Sequence, residues 1–123
     1  INGYNFWQYK FIFRKVIKYM WNEIKYQGIV KIEKLVSEYN IWELHKIPYG
    51  KFKIKIYESS NHTYSGYTNL HIADGLGDYC CAVGHGKTEK TALEDTISEF
   101  FKMLERKKIW EEQDFQYADS YDF

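Results

Sequence analysis

The sequence predicts an α+β fold: N-terminal helices, a three-stranded antiparallel β-meander and a C-terminal helix, in the order α-α-β-β-β-α. Three observations carry this. Apolar residues recur at three- and four-residue steps over roughly residues 5–27. They then alternate strictly in KFKIKIYE, and a glycine turn leads back to a helical stripe in GHGKTEKTALEDTISEFF. The chain has 123 residues and a single proline, which suits one domain over residues 1–110. Residues 111–123 read as an acidic, aromatic tail.

The first helix is expected from the stripe Phe6, Tyr9, Phe13, Val16, Ile17, Met20 and Ile24, with Lys10, Arg14, Lys18 and Lys25 on another side and Gly28 as its stop. A second helix is expected from Ile29, Ile32, Leu35, Val36 and Tyr39, followed by a connector through Pro48-Tyr49-Gly50. The period then becomes two. Phe52, Ile54 and Ile56 alternate with Lys51, Lys53, Lys55 and Tyr57, which marks a half-buried strand. Ser-Ser-Asn-His is a turn, and a second strand over residues 63–73 turns Thr68, Leu70 and Ile72 inward. Asp-Gly-Leu-Gly-Asp is the next turn, and a third strand is expected over residues 79–83. The last helix, over residues 88–107, places Ala92, Leu93, Ile97, Phe100, Phe101 and Leu104 on one face.

Composition narrows function. The chain is 45% hydrophobic and 28% charged, so it is globular, and 20% aromatic, more rings than a core of this size can hide. Some Tyr and Trp therefore belong at an interface. Formal charge is zero, yet residues 1–58 hold eleven Lys/Arg against five Glu, and residues 59–123 hold six against twelve Asp/Glu. That dipole suits steering or self-association into a homodimer, and not a dedicated nucleic-acid binder, whose basic excess covers the whole domain. Cys80 and Cys81 are adjacent and point to opposite faces of a strand, which fits a reducing, cytoplasmic setting. No apolar run reaches the roughly 18 residues of a membrane span.

Gly84-His85-Gly86-Lys87-Thr88 follows a strand and opens a helix, as a phosphate loop does. Such a loop needs another glycine five residues before Gly86, and Cys81 stands there. Gly84 and Gly86 are therefore read as the strand-to-helix turn, with Thr88 as the N-cap. Lys87 beside free helix amides keeps weak anion binding open.

On Gly84, Gly86, Thr88, Ala92 and Leu93, residues 51–104 resemble small phage-encoded proteins of the ABA-sandwich type. The resemblance implies a mobile-element origin and no defined chemistry. The same half is similar to a double-stranded-RNA-binding domain, three strands then a helix. There the helix opens on a basic cluster; here only Lys87 and Lys90 match, and Glu89, Glu94 and Asp95 reverse the sign, so that carry-over fails.

His45, His62, His71 and His85 with the two cysteines lack zinc-ligand spacing, and His71 and Cys81 are expected on opposite faces. No catalytic residue, metal or cofactor is expected. Two binding surfaces are. The first is the tail, where Glu111, Glu112, Asp114, Asp119 and Asp122 interleave with Phe115, Tyr117, Tyr121 and Phe123; it can fill a basic groove on a partner or fold back on the chain's own basic half. The second is the sheet face of Lys53, Lys55, Tyr57 and Tyr67, which suits bases and phosphates, or else the helix start at Lys87. The leading expectation is a non-enzymatic phage or mobile-element protein that binds and inhibits a host protein, for instance a defence nuclease, as anti-CRISPR inhibitors do. The alternative is a nucleic-acid or nucleotide-ligand module.

Overall fold

The structure, a computed structural model, describes residues 21–123. Its elements are β1 (Glu33–Trp42), β2 (Lys51–Ser59), β3 (Tyr64–Thr68), β4 (Leu70–Ala73), β5 (Tyr79–Cys80), β6 (Val83–Gly86), α1 (Glu89–Leu104) and β7 (Phe115–Tyr117). One antiparallel sheet runs β1-β2-β3-β6 and a second runs β5-β4-β7. Among the described residues α1 is the one α-helix, so the expected fold is overturned: these residues form a β-rich molecule of seven strands, without the predicted second helix and with more than a three-stranded meander. Most of the first predicted helix falls on residues 1–20, outside the described residues. Its described remainder is a 3-10 turn, Trp21–Glu23.

The second predicted helix is β1, and a β-bulge explains the misreading. Leu35 pairs with Tyr57 and Ser37 with Ile56, leaving Val36 as an extra residue. A bulge shifts the side-chain phase by one. Tyr39 and Ile41 alternate inward as a strand requires, while Val36, three positions before Tyr39, also packs on the core. The resulting three-and-four spacing imitates a helix.

β2 follows its alternation: Phe52, Ile54, Ile56 and Glu58 are buried and the odd positions are not. Gly66, Thr68, Leu70 and Ile72 continue the buried row through β3 and β4, across Asn69, so one chain segment serves both sheets. The Asp74–Asp78 turn closes when Asp74 Oδ1 accepts the amides of Leu76 (2.7 Å) and Asp78 (3.2 Å). The returning segment does not form one strand over residues 79–83. It breaks at Cys81 and Ala82, where the Ala82 amide donates to Thr68 Oγ1 (2.9 Å), and resumes as β6.

Helix α1 begins as predicted. Thr88 Oγ1 accepts the Thr91 amide (3.1 Å) and Thr91 Oγ1 accepts the Thr88 amide (3.1 Å), a reciprocal cap. The role expected for Gly84 and Gly86 is corrected. Neither has positive φ; together with Gly66 they clear the space α1 occupies. A Cβ on Gly84 would lie 2.3 Å from Thr96 N, and one on Gly66 2.1 Å from Thr96 Oγ1. Gly66 and Gly84 are cross-strand partners, so a bare patch of sheet receives the helix backbone. Phe100 then stacks on Phe52 at 4.3 Å between centroids, each ring contributing about 1.5–3 kcal/mol by burial.

Candidate functional site

The sheet face away from α1 carries the odd residues of β2. Lys53, Lys55, Tyr57 and Tyr67 are all half-buried there, and Tyr57 and Tyr67 meet edge to face at 5.8 Å. β1 interleaves carboxylates with the lysines of this face. Glu38 pairs with Lys55 in the ladder and approaches its Nζ to 4.0 Å, and Glu33 binds Lys31 at 3.1 Å. Burial first, then Glu33, Tyr67 and Glu38, hold the Tyr57 hydroxyl above its usual pKa.

The tail is placed against the domain itself. Phe115 is buried and pairs with Ile72, and Tyr117 pairs with Leu70. Trp110 packs on Phe115 at 5.7 Å. The Glu111 amide and then the Lys107 ammonium hold the Asp114 carboxyl below its usual range. From Ala118, whose amide donates to Asn69 O (2.7 Å), the chain crosses the lysine–tyrosine face. Lys55 Nζ donates to the Phe123 carbonyl (2.6 Å) and lies 4.4 Å from its ring centroid. Glu111, Glu112, Asp119, Tyr121 and Asp122 stay exposed. The two predicted surfaces are thus brought together, the tail strapped over the face.

Lys87 is not part of this assembly. It is exposed at the other end of the sheet, beside a shallow recess it shares with Glu58, His62 and Tyr64. Of the adjoining helix amides, that of Thr91 is engaged by the Thr88 cap, and Asp95 Oδ2 accepts the His85 amide (2.8 Å).

His71 and Cys81, expected on opposite faces, line one recess with Tyr57 and Tyr67, because the strand breaks at Cys81. Burial lowers the His71 pKa and raises that of the Cys81 thiol, so both are neutral near pH 7. Among the described residues no group of three or more His, Cys, Asp or Glu could hold a metal ion. No helix of theirs is long and apolar enough to cross a membrane.

A further surface lies at the end of the sheets, and reasoning from residues missed it. Trp42 is 69% and Leu44 74% exposed, and Tyr49, Tyr79 and Tyr117 are exposed beside them. Trp42 is joined to Tyr117 through Lys51, and Leu44 lies against Gly50 between Tyr49 and Lys51, so the five are taken together as a ridge. Lys51 Nζ sits 5.0 Å from the Trp42 ring centroid. The Tyr117 hydroxyl donates to Lys51 O, and Tyr117 packs on Tyr49 at 5.0 Å. Tyr49 and Tyr79 flank a recess of about 430 Å³ floored by Phe115. Beside the ridge, His45, Lys46, Lys107 and Lys108 line a second recess of about 340 Å³. The only advance signal was the excess of rings; their convergence depends on β7 folding back.

No family model, curated protein or solved structure matches this chain.

Proposed function

We propose that this chain is a binding protein that acts by covering part of a larger protein's surface, through the ridge of Trp42, Leu44, Tyr49, Tyr79 and Tyr117. In its finer form, suggested by the phage-type likeness of residues 51–104, the partner is a host defence protein in the cytoplasm and the effect is inhibition. The observation that supports the reading is the exposed Tyr49–Tyr117 pair, with Tyr79 across the same recess and Trp42 joined through Lys51, rings that three separate parts of the chain contribute. Trp and Tyr anchors at the centre of an interface supply most of its binding energy. The ammonium of Lys51 and the neighbouring Lys46 and Lys108 favour a partner surface of apolar pockets rimmed by carboxylates.

The test is a stoichiometric complex from host lysate, followed by affinity measurement on the purified pair. Trp42→Ala together with Tyr49→Ala weakens it by about 100-fold or more, the loss of two central anchors; Lys87→Ala leaves it unchanged. A partner bound equally well by the ridge variant would remove the proposal, as would a stable homodimer formed through these rings. The nucleic-acid alternative draws on Lys53, Lys55, Tyr57 and Tyr67, with Glu33 and Glu38 opposing phosphates there. Oligonucleotide binding that weakens steeply with salt is the result that would revive it.

A further inference from the structure

Independently of the ridge, we infer that the recess between the sheet and residues 118–123 is a binding site for a small alkylated ammonium group. Its volume is about 310 Å³ and its lining is mostly apolar, at the small end of ligand pockets. Rings from three different elements wall it: Tyr57 of β2, Tyr67 of β3 and Phe123 of the strap. Tyr57 and Tyr67 stand at 72° to one another, so one ring presents its face where the other presents its edge. An organic cation is drawn to such faces, most strongly where water is excluded.

Charge selects the sign of the ligand. Glu33 and Asp122 line the recess, and Asp122 has no cationic partner among the described residues. An anion would meet both carboxylates. The imidazole of His71, also in the lining, is kept neutral by burial and does not repel a cation. Two ammoniums stand near the recess but outside its lining: that of Lys31 is bound to Glu33 at 3.1 Å, and that of Lys55 is answered by Glu38 and packs on the Phe123 ring, anchoring that wall.

Hydration selects the substituents. A primary ammonium is strongly hydrated, and the apolar larger part of this lining returns none of the hydrogen bonds that water makes. A methylated or quaternary ammonium keeps its charge with no N–H groups to satisfy. Free choline and a trimethylated lysine side chain share this chemistry. The site includes part of the strap, so binding also holds residues 118–123 in place.

The experiment is an amide-resolved NMR titration of the full chain with choline, with a trimethyl-lysine amide and with 3,3-dimethylbutanol, the uncharged isostere of choline. At least one of the two cations shifts the amides of Tyr57, Tyr67 and His71 and binds about tenfold or more tightly than the isostere. Which cation binds more tightly separates a small metabolite from a modified side chain. Tyr57→Leu weakens binding about tenfold, and Asp122→Asn, at an exposed position that leaves the core intact, weakens it severalfold. The inference is overturned if neither cation shifts these amides at about 50 mM, if the isostere binds as tightly, or if Asp122→Asn binds the cations as wild type does.

Discussion

Replacing Gly84 by alanine adds one methyl group where α1 already sits. The new Cβ would lie 2.3 Å from Thr96 N, 2.4 Å from Thr96 Oγ1 and 2.6 Å from Thr96 Cα, against an ordinary contact of 3.4–4 Å. Two of these neighbours are backbone atoms, so no rotamer change relieves the clash. The helix must withdraw by about 1 Å, and a gap of that size forfeits about a quarter to a half of each contact's attraction. Ala92, Thr96, Phe100 and Leu104 all face the sheet, so the loss is shared along α1. Overpacking costs about 1–3 kcal/mol, with backbone clashes at the upper end; about 3 kcal/mol is expected here. Urea unfolding followed by circular dichroism should show the midpoint falling by about 1–2 M. Gly75→Ala is the control: it has open space and φ of +82°, so only conformational strain of about 1 kcal/mol applies. A Gly84→Ala midpoint within 0.3 M of wild type, read as about 0.5 kcal/mol, would refute the packing argument and return this glycine to a turn role.

Three further outcomes follow from the same structure. Phe115→Ala should cost about 3–5 kcal/mol in urea unfolding, because Phe115 is 5% exposed and belongs to the core; a cost below about 1 kcal/mol would detach β7 from the fold. Thr88→Ala should cost about 1 kcal/mol through the lost cap, measured by thermal or urea unfolding; an unchanged midpoint would contradict the cap. The Ser37 and Tyr39 hydroxyls beside Glu89 hold its carboxyl below the usual range, and of the two only Tyr39 reaches full hydrogen-bond geometry, at 2.8 Å. A depressed carboxyl stabilises the fold above its unfolded pKa of about 4.3 and loses that contribution as pH falls through the folded value. Tyr39→Phe should therefore lower stability at pH 6 and converge on wild type as pH falls through the folded value, as read from urea midpoints from pH 6 into the acid range. A gap that persists at the acid end would assign the loss to packing.

Where side-chain period and backbone geometry agree, the chain was readable. Lys51–Ser59 alternates without interruption, Thr68, Leu70 and Ile72 face inward as the pattern requires, and Thr88 caps α1. Local exceptions hid the rest. One extra residue at Val36 turned a strand's alternation into helical spacing, and that misreading concealed the candidate site as well. With β1 taken for a helix, Glu33 and Glu38 have no place opposite Lys55 and Tyr57, and the face looks basic. Phe115–Tyr117 is too short to carry a period, so the sequence left docking on a partner and docking on the chain's own basic half equally open. Gly66, Gly84 and Gly86 are informative only once the helix is known to cross them, since a glycine that avoids a clash and one that allows a turn look alike in a sequence.

The most direct test of the account is the affinity of the purified partner complex for the full chain carrying Trp42→Ala alone. Trp42 is exposed and cross-strand from Lys51, so its truncation leaves the core untouched and folding can be verified by an unchanged urea midpoint. The account predicts a loss of about 2 kcal/mol or more, near 30-fold in Kd, as for a central aromatic anchor. A Kd within about twofold of wild type would contradict it.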